Sequence, residues 1–325
     1  MIVHNRIPRA VSAVVLCVLG LLALQFVFGP LKSIKRPAIF QAQPPAASSL
    51  KSHIDDEESK YRVALQDRDN LIRKWGPTAE DIIPFPRNGA LFTLWDFFIP
   101  SFRCPHRVER VGTLGDGGKW TCGVNRYANQ RAPCVIYSFG LNGESSFEAD
   151  FLKRAPHCEI WGYDFSVHSF GPEIENDPAL KARAHFFPYA IGGEDIPEGD
   201  PPTFTLQTLM QQNGHSFIDL LKIDVEESEF DSLSTFVDHF VPSQAGSDAT
   251  VPVGQMQLEI HAWGPHATFP TFKRWWENLE RAGLRPFWTE PNLVYLQIMR
   301  GSLPDLAEYS FMNIRARSTL TDDSY

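Results

Sequence analysis

Positive charge is in short supply. The chain has 30 Lys and Arg against 39 Asp and Glu, a net charge of −9, so it lacks the basic footprint by which proteins hold nucleic acid, which argues against DNA or RNA as a partner. No C-x-x-C pair and no Cys/His cluster at zinc-ligand spacing occurs, so no structural zinc is expected. No fixed period organises the 25 prolines and 22 glycines, which argues against solenoids and propellers. Long apolar runs are absent with one exception, so the chain is not a polytopic membrane protein. What is present, 325 residues of which 43% are hydrophobic, 12% aromatic and 21% charged, is globular material sufficient for one large α/β domain with extensions.

The exception is the uncharged run over residues 10–29; at ~1.5 Å per residue, about 20 helical residues cross a ~30 Å hydrocarbon layer. It outlasts the roughly 7–15 residues of a secretory signal core and closes on bulky Phe26, Val27 and Phe28, so it reads as an uncleaved signal-anchor, with a cleaved signal peptide as the alternative. Arg6 and Arg9 precede it and Lys32, Lys35 and Arg36 follow, a near balance that leaves topology to the layout of the chain. A short N-terminal tail with a large C-terminal part reads as a single-pass type II membrane protein of the endoplasmic reticulum or Golgi. Residues 1–36 are then tail and anchor. Residues 37–90 are a stem, Pro/Ala/Ser-rich at first and then carrying a charged helix over residues 52–75, ended by Gly76-Pro77 and expected to pack loosely or stand off. Residues 91–325 are the folded domain. Cys17 falls in the apolar run, leaving Cys104, Cys122, Cys134 and Cys158, an even set that allows three pairings. Cys134 and Cys158 each begin an apolar run, so they are placed to bridge if those runs are adjacent parallel strands; two small buried hydrophobes are the alternative.

Residues 114–122, LGDGGKWTC, have the Asp-Gly-Gly chemistry of a tight hairpin turn. From Cys134 apolar strands alternate with helix-length segments, the pattern of a parallel sheet built from βαβ units. Strands are predicted at 134–139, 157–163, 184–189, 219–225 and 255–261, helices at 144–154, 205–212, 227–240 and 268–282, and extended segments from 284 to 314 with a break at Gly301-Ser302.

In such a sheet, ligands bind at the carboxyl ends of the strands. The first strand is followed by Gly140, Leu141, Asn142, Gly143 and Glu144, a turn that opens a helix and exposes backbone amides. The second is followed by Asp164, placed to accept from ribose hydroxyls; a helix cap or loop aspartate is the plainer reading. On the fourth strand Lys222, Asp224 and, if the extended run continues, Glu226 share a face, as do Glu259 and His261 on the fifth. These acids and the histidine are therefore expected to converge, either as proton-transfer groups or as an ion-pair network satisfied by Lys222. No metal is assigned to them.

These pieces carry a resemblance. LLKIDVEESE (residues 220–229) resembles the LLKIDVEGAE segment of FkbM-type S-adenosylmethionine-dependent methyltransferases. With GDGGKWTC, CVIYSFGLNGESSFE and CEIWGYD behind an anchor, the chain resembles the membrane-bound family grouped with methyltransferase-like protein 24 and its fungal relatives, over roughly residues 112–314. The resemblance implies a Rossmann-like class I methyltransferase fold with a seven-stranded, mainly parallel sheet and S-adenosylmethionine over the first two strand ends. By position it puts Gly140, Asn142, Gly143 and Glu144 in the cofactor loop, Asp164 on the ribose, Ala190 near the adenine, Asp224 and Glu226 facing the methyl group and His261 opposite. Ser138 stands where the family has an acid, and Glu227 where it has glycine. The expected activity is methyl transfer to an oxygen or nitrogen of a glycan or small molecule. The alternatives are a binding module that keeps the fold, and a glycosyltransferase, whose D-x-D spacing occurs only as Asp67-Arg68-Asp69 in the stem.

Overall fold

The computed structural model describes residues 49–244, 246 and 248–324, all within one compact unit. Among the described residues no helix is long and apolar enough to cross a membrane. The apolar run at 10–29, the first part of the stem and the membrane and lumenal expectations attached to them lie outside the described residues.

An antiparallel hairpin, β1 (Val108–Val111) and β2 (Lys119–Cys122), comes first, turning through the glycines of LGDGG. The main sheet takes β3 (Cys134–Phe139), β4 (Cys158–Tyr163) and β5 (Ala184–Phe187). After a two-residue pair, β6 (Ala190–Ile191) with β7 (Thr203–Phe204), it adds β8 (Ile218–Ile223), β9 (Val253–His261), β10 (Leu284–Pro291) and β11 (Leu306–Asn313). Its seven strands lie in the order β10-β11-β9-β8-β3-β4-β5. The pairs β9–β8, β8–β3, β3–β4 and β4–β5 are parallel, and β11 alone runs against the rest. The mainly parallel, doubly wound sheet expected from the sequence is thus present. Chain order reverses between β3 and β8, so their carboxyl ends open the crevice where such sheets bind ligands.

Alternation along the strands divides the core. Tyr137, Phe139, Leu221, Ile223, Met256, Leu258 and Ile260 face helices Leu206–Asn213, Ser228–Phe240 and Phe269–Arg281. The last of these presents Phe269, Phe272, Trp275, Trp276 and Leu279, an apolar stripe at helical spacing. Ile136, Ile160 and Leu220 face the other way, toward helix Ser146–Arg154. Cys134 and Cys158 are directly opposite in the β3–β4 register and are bridged, and Cys104 is bridged to Cys122 at the end of the hairpin.

Several expectations change. The stretch read as extended from 284 to 314 is interrupted by helix Leu293–Ile298 between β10 and β11. Helix Leu50–Trp75 does not stand off. Its Arg68 guanidinium bonds both oxygens of Glu280 and the Phe97 carbonyl, and its Glu58 receives Arg285. These ion pairs are nearly buried, so polar residues that read as a solvated stripe are its attachment; Asp67 and Asp69 of the D-x-D spacing are exposed on the same helix. Short helices Pro172–Glu175 and Pro178–Lys181 occupy the loop after β4, each opened by a proline at its first turn. And β8 ends at Ile223, so the extended run does not reach Glu226.

Because removing one partner of a buried pair strands the other charge, Arg68→Ala should lower unfolding free energy by about 3 kcal/mol. Chemical denaturation of the full chain checks this; no loss of stability would mean the helix is not docked.

Candidate functional site

The loop after β3 turns at Gly140 (φ 76°), where a Cβ would fall 1.7 Å from the Asp224 carbonyl oxygen. Only glycine allows the ends of β3 and β8 to come this close. Asn142 (φ 46°) and Gly143 (φ 71°) continue in the left-handed region and are exposed. Asp164, at the end of β4, closes the loop from the other side: its Oδ2 accepts from Leu141 N and Asn142 N, each at 2.8 Å, and its Oδ1 from the amide and hydroxyl of Ser166. Burial alone would raise its pKa, but the Asn142, Ser166 and Leu141 donors outweigh that and hold the carboxyl below its usual range. The two places that the resemblance assigned to one adenosine are therefore joined, and Asp164 is first of all the clamp that shapes the loop. Phe165, next in sequence, leaves 57% of its surface exposed beside it.

Glu144 sits differently from the loop glycines: its Oε1 caps Ser146 N, and its Oε2 lies where a side chain on Gly117 of the hairpin turn would be. Ala190 opens β6, half-buried, with its amide bonded to the Pro202 carbonyl. At Ser138 the missing acid is supplied from elsewhere: the hydroxyl donates to Glu148 of helix Ser146–Arg154, a fully buried carboxyl that also lies 3.5 Å from Lys222 Nζ. Lys222 in turn donates to the Gly140 carbonyl at 2.9 Å. It therefore holds the loop and does not neutralise Asp224 by contact.

A second cluster lies at the ends of β8, β9 and β11. A ring nitrogen of His261 and carboxyl oxygens of Asp224 and Glu259 fall within 4.8 Å of one another, as strand parity predicted. Lys119 of β2 enters among them, its side chain 1% exposed, 3.2 Å from Asp224 Oδ2 and hydrogen-bonded to Glu308 of β11. Burial opposes the charged form of both partners. For Asp224 the Lys119 and Lys222 charges win and hold the carboxyl low, and for Lys119 the three acids win and hold the ammonium high. Glu259 goes the other way: burial, then Asp224 and Glu308, push it up, and its Oε1 accepts from Asn292. Glu226 is exposed at φ 49°, and Glu227 follows at φ 79°, a left-handed turn that glycine would adopt without strain. Glu226 thus does not share the β8 face as expected, although its charge reaches His261.

His261 is held by Glu229, the last residue of LLKIDVEESE. Glu229 Oε1 accepts both the His261 amide at 2.7 Å and Nδ1 at 3.2 Å, which leaves Nε2 as the ring nitrogen able to take a proton. Lys119, Glu148, Glu229 and Glu308 were all missed. Lys119 was visible only as part of a turn motif, Glu148 and Glu229 only as the last residues of segments that carry the resemblance, and Glu308 only as a single polar residue in an extended segment.

Residues 86–301 match the model of a family described as a methyltransferase domain. That is more than half of the chain, and the protein belongs to this family of methyltransferases. Among solved structures it is similar to the fibrillarin pre-rRNA processing protein of Methanococcus jannaschii (11% identity, 66% of this chain and 84% of that one, TM-score 0.34). It is also similar to the O-methyltransferase of a trans-AT PKS multienzyme of Brevibacillus brevis in complex with S-adenosyl-L-homocysteine (11% identity, 60% and 73%, TM-score 0.32). Likeness this distant carries no argument about acceptor or mechanism. No curated protein matches the chain.

Burial lowers the His261 pKa, but the hydrogen bond and charge of Glu229, with Asp224 and Glu226, raise it above the ordinary 6.5. The pair therefore adds stability that is fully present below the unfolded value and fades as pH rises through the raised folded value. In an NMR titration His261 should lose its proton above pH 6.5, and Glu229→Gln, which keeps an acceptor but removes the charge, should lower that midpoint. Wild-type titration at or below the ordinary value would contradict the assignment.

Proposed function

We propose that the protein transfers a methyl group from S-adenosylmethionine to an oxygen or nitrogen of a glycan or small-molecule acceptor. The observation that carries the reading is the Asp164 carboxylate bound to both the Leu141 and Asn142 amides, which joins the ends of β3 and β4 into one cradle beside the point where chain order reverses. The residues present fit an adenosyl group. Gly143 is open, with nothing within 4 Å of where its Cβ would be, Asn142 is exposed, and Phe165 offers an apolar face beside Asp164. Gly140, Asn142, Gly143, Asp164, Phe165 and Ala190 would hold the cofactor. When bound, it supplies an electrophilic methyl group, open to in-line displacement.

The chain's own residues supply the rest. His261, oriented through Nδ1 by Glu229, takes the acceptor's proton at Nε2, and its raised pKa makes it the stronger base once deprotonated. Asp224 stays ionised beside it and favours the imidazolium that results. Two disulfides in the described domain suit an oxidising compartment. With the apolar run at residues 10–29, they support a type II membrane protein of the endoplasmic reticulum or Golgi.

A binding module that keeps the fold is the competing reading. It is favoured by the four hydrogen bonds Asp164 already receives from its own loop, which occupy its acceptor positions. Calorimetric titration of S-adenosylmethionine into the full chain separates the two. Wild type should bind, and Asp164→Ala, which releases the loop, should weaken binding about 100-fold, the equivalent of one or two charge-assisted hydrogen bonds. Absence of wild-type binding would leave the module reading standing, and unchanged affinity in Asp164→Ala would remove Asp164 from the site.

A further inference from the structure

The donor set Asp224, Glu259 and His261 is one that divalent cations use. In this chain the interior of that cluster is already filled by a side chain. Lys119 Nζ lies 3.2 Å from Asp224 Oδ2 and 3.9 Å from Glu259 Oε2, and it donates to Glu308. An ammonium has three N–H donors and no acceptor, and here it faces three carboxyl groups.

The position of Lys119 is fixed by its backbone. Gln255 on β9 accepts from Cys122 N and donates to Cys122 O, while Gln257 and Ser310 both donate to Trp120 O. The polar face of β9, a nine-residue strand buried throughout, is thus turned toward the hairpin and pins β2 across the sheet, with the Lys119 ammonium among the acids. A metal ion bound to both Asp224 and Glu259 would sit against this ammonium, where like-charge repulsion opposes it.

We propose that Lys119 is a built-in cation: its ammonium takes the neutralising place between Asp224 and Glu259 that a divalent metal would otherwise fill, and so makes the methyl-transfer site independent of metal. The inference rests on the methyltransferase reading for its meaning, though not for its test. Lys119 is a positioning residue. It keeps the Asp224 carboxylate ionised and fixed next to His261, and it ties the hairpin to the strand ends that carry the chemistry.

Mn²⁺ titrated into the full chain, followed by loss of the free-ion electron paramagnetic resonance signal, decides the matter. Wild type should leave Mn²⁺ free up to about 1 mM, the weak end of natural divalent sites. Lys119→Ala deletes the ammonium and leaves Asp224, Glu259, Glu308 and His261 around the vacated space. It should take up one Mn²⁺ at least about tenfold more tightly than wild type, since affinity follows ligand charge. Adding Asp224→Asn should abolish that uptake, and Lys119→Arg should behave as wild type. Should Lys119→Ala unfold without metal, its melting temperature must rise with Mn²⁺ concentration. Mn²⁺ uptake by wild type that Asp224→Asn abolishes would overturn the proposal, and so would a Lys119→Ala chain that neither takes up Mn²⁺ nor is stabilised by it. A parallel titration with S-adenosylmethionine keeps the two readings distinct: failure to bind it would remove the methyltransferase reading and leave the Mn²⁺ result intact.

Discussion

The close approach of β3 to β8 at their carboxyl ends governs the site. Gly140 passes so near the Asp224 carbonyl that no side chain is tolerated there, and the loop that follows must turn at once through left-handed backbone at Asn142 and Gly143. Such a loop needs acceptors for its amides, because buried donors without partners cost about 1–3 kcal/mol each. Asp164 meets that need for Leu141 and Asn142, and Lys222 satisfies the Gly140 carbonyl. One steric constraint thus sets the cradle, fixes the end of β4 against it and leaves Asp224 at the threshold of the second cluster.

That second cluster is an exercise in burying charge without leaving it unpaired. Acids just past β8 and on β9 and β11 meet one ammonium delivered by the hairpin, and their environments divide: the nearby lysines hold Asp224 low, while burial and its acidic neighbours push Glu259 up. The same logic operates at Ser138, where Glu148 from a helix takes the place of an acid on the strand, and at the long N-terminal helix, where Arg68 and Glu280 satisfy each other. For Lys119 and Arg68 the partners come from distant parts of the chain, so those charges also select the tertiary arrangement.

Much of this was legible in the sequence and some was not. The main strands and the longer helices from Cys134 onward followed from periodicity, because a parallel sheet buried on both faces leaves continuous apolar runs; the short helices Pro172–Glu175, Pro178–Lys181 and Leu293–Ile298 did not. The Cys134–Cys158 bridge was one of two open readings, conditional on the strands being parallel neighbours, and the β3–β4 register meets that condition. Strand parity also brought Asp224, Glu259 and His261 together correctly. It failed one step later, at Glu226, where the strand had already ended at Ile223 and the chain had turned through left-handed backbone that carries no glycine to announce it. Lys119, Glu148 and Glu229 could not be read at all: their roles depend on the hairpin crossing the sheet and on two helices presenting buried acids, pairings with no local signature. The helix Leu50–Trp75 was misjudged for a related reason, because buried salt bridges look like surface charge in one dimension.

The central claim is that the loop after β3 and the end of β4 form one cofactor cradle. Amide hydrogen exchange of the full chain, with and without S-adenosylmethionine, tests it most directly. Exchange should slow together in residues 140–146 and 164–170 when the cofactor is added. Protection of neither segment, or protection confined to some other part of the chain, would contradict the account.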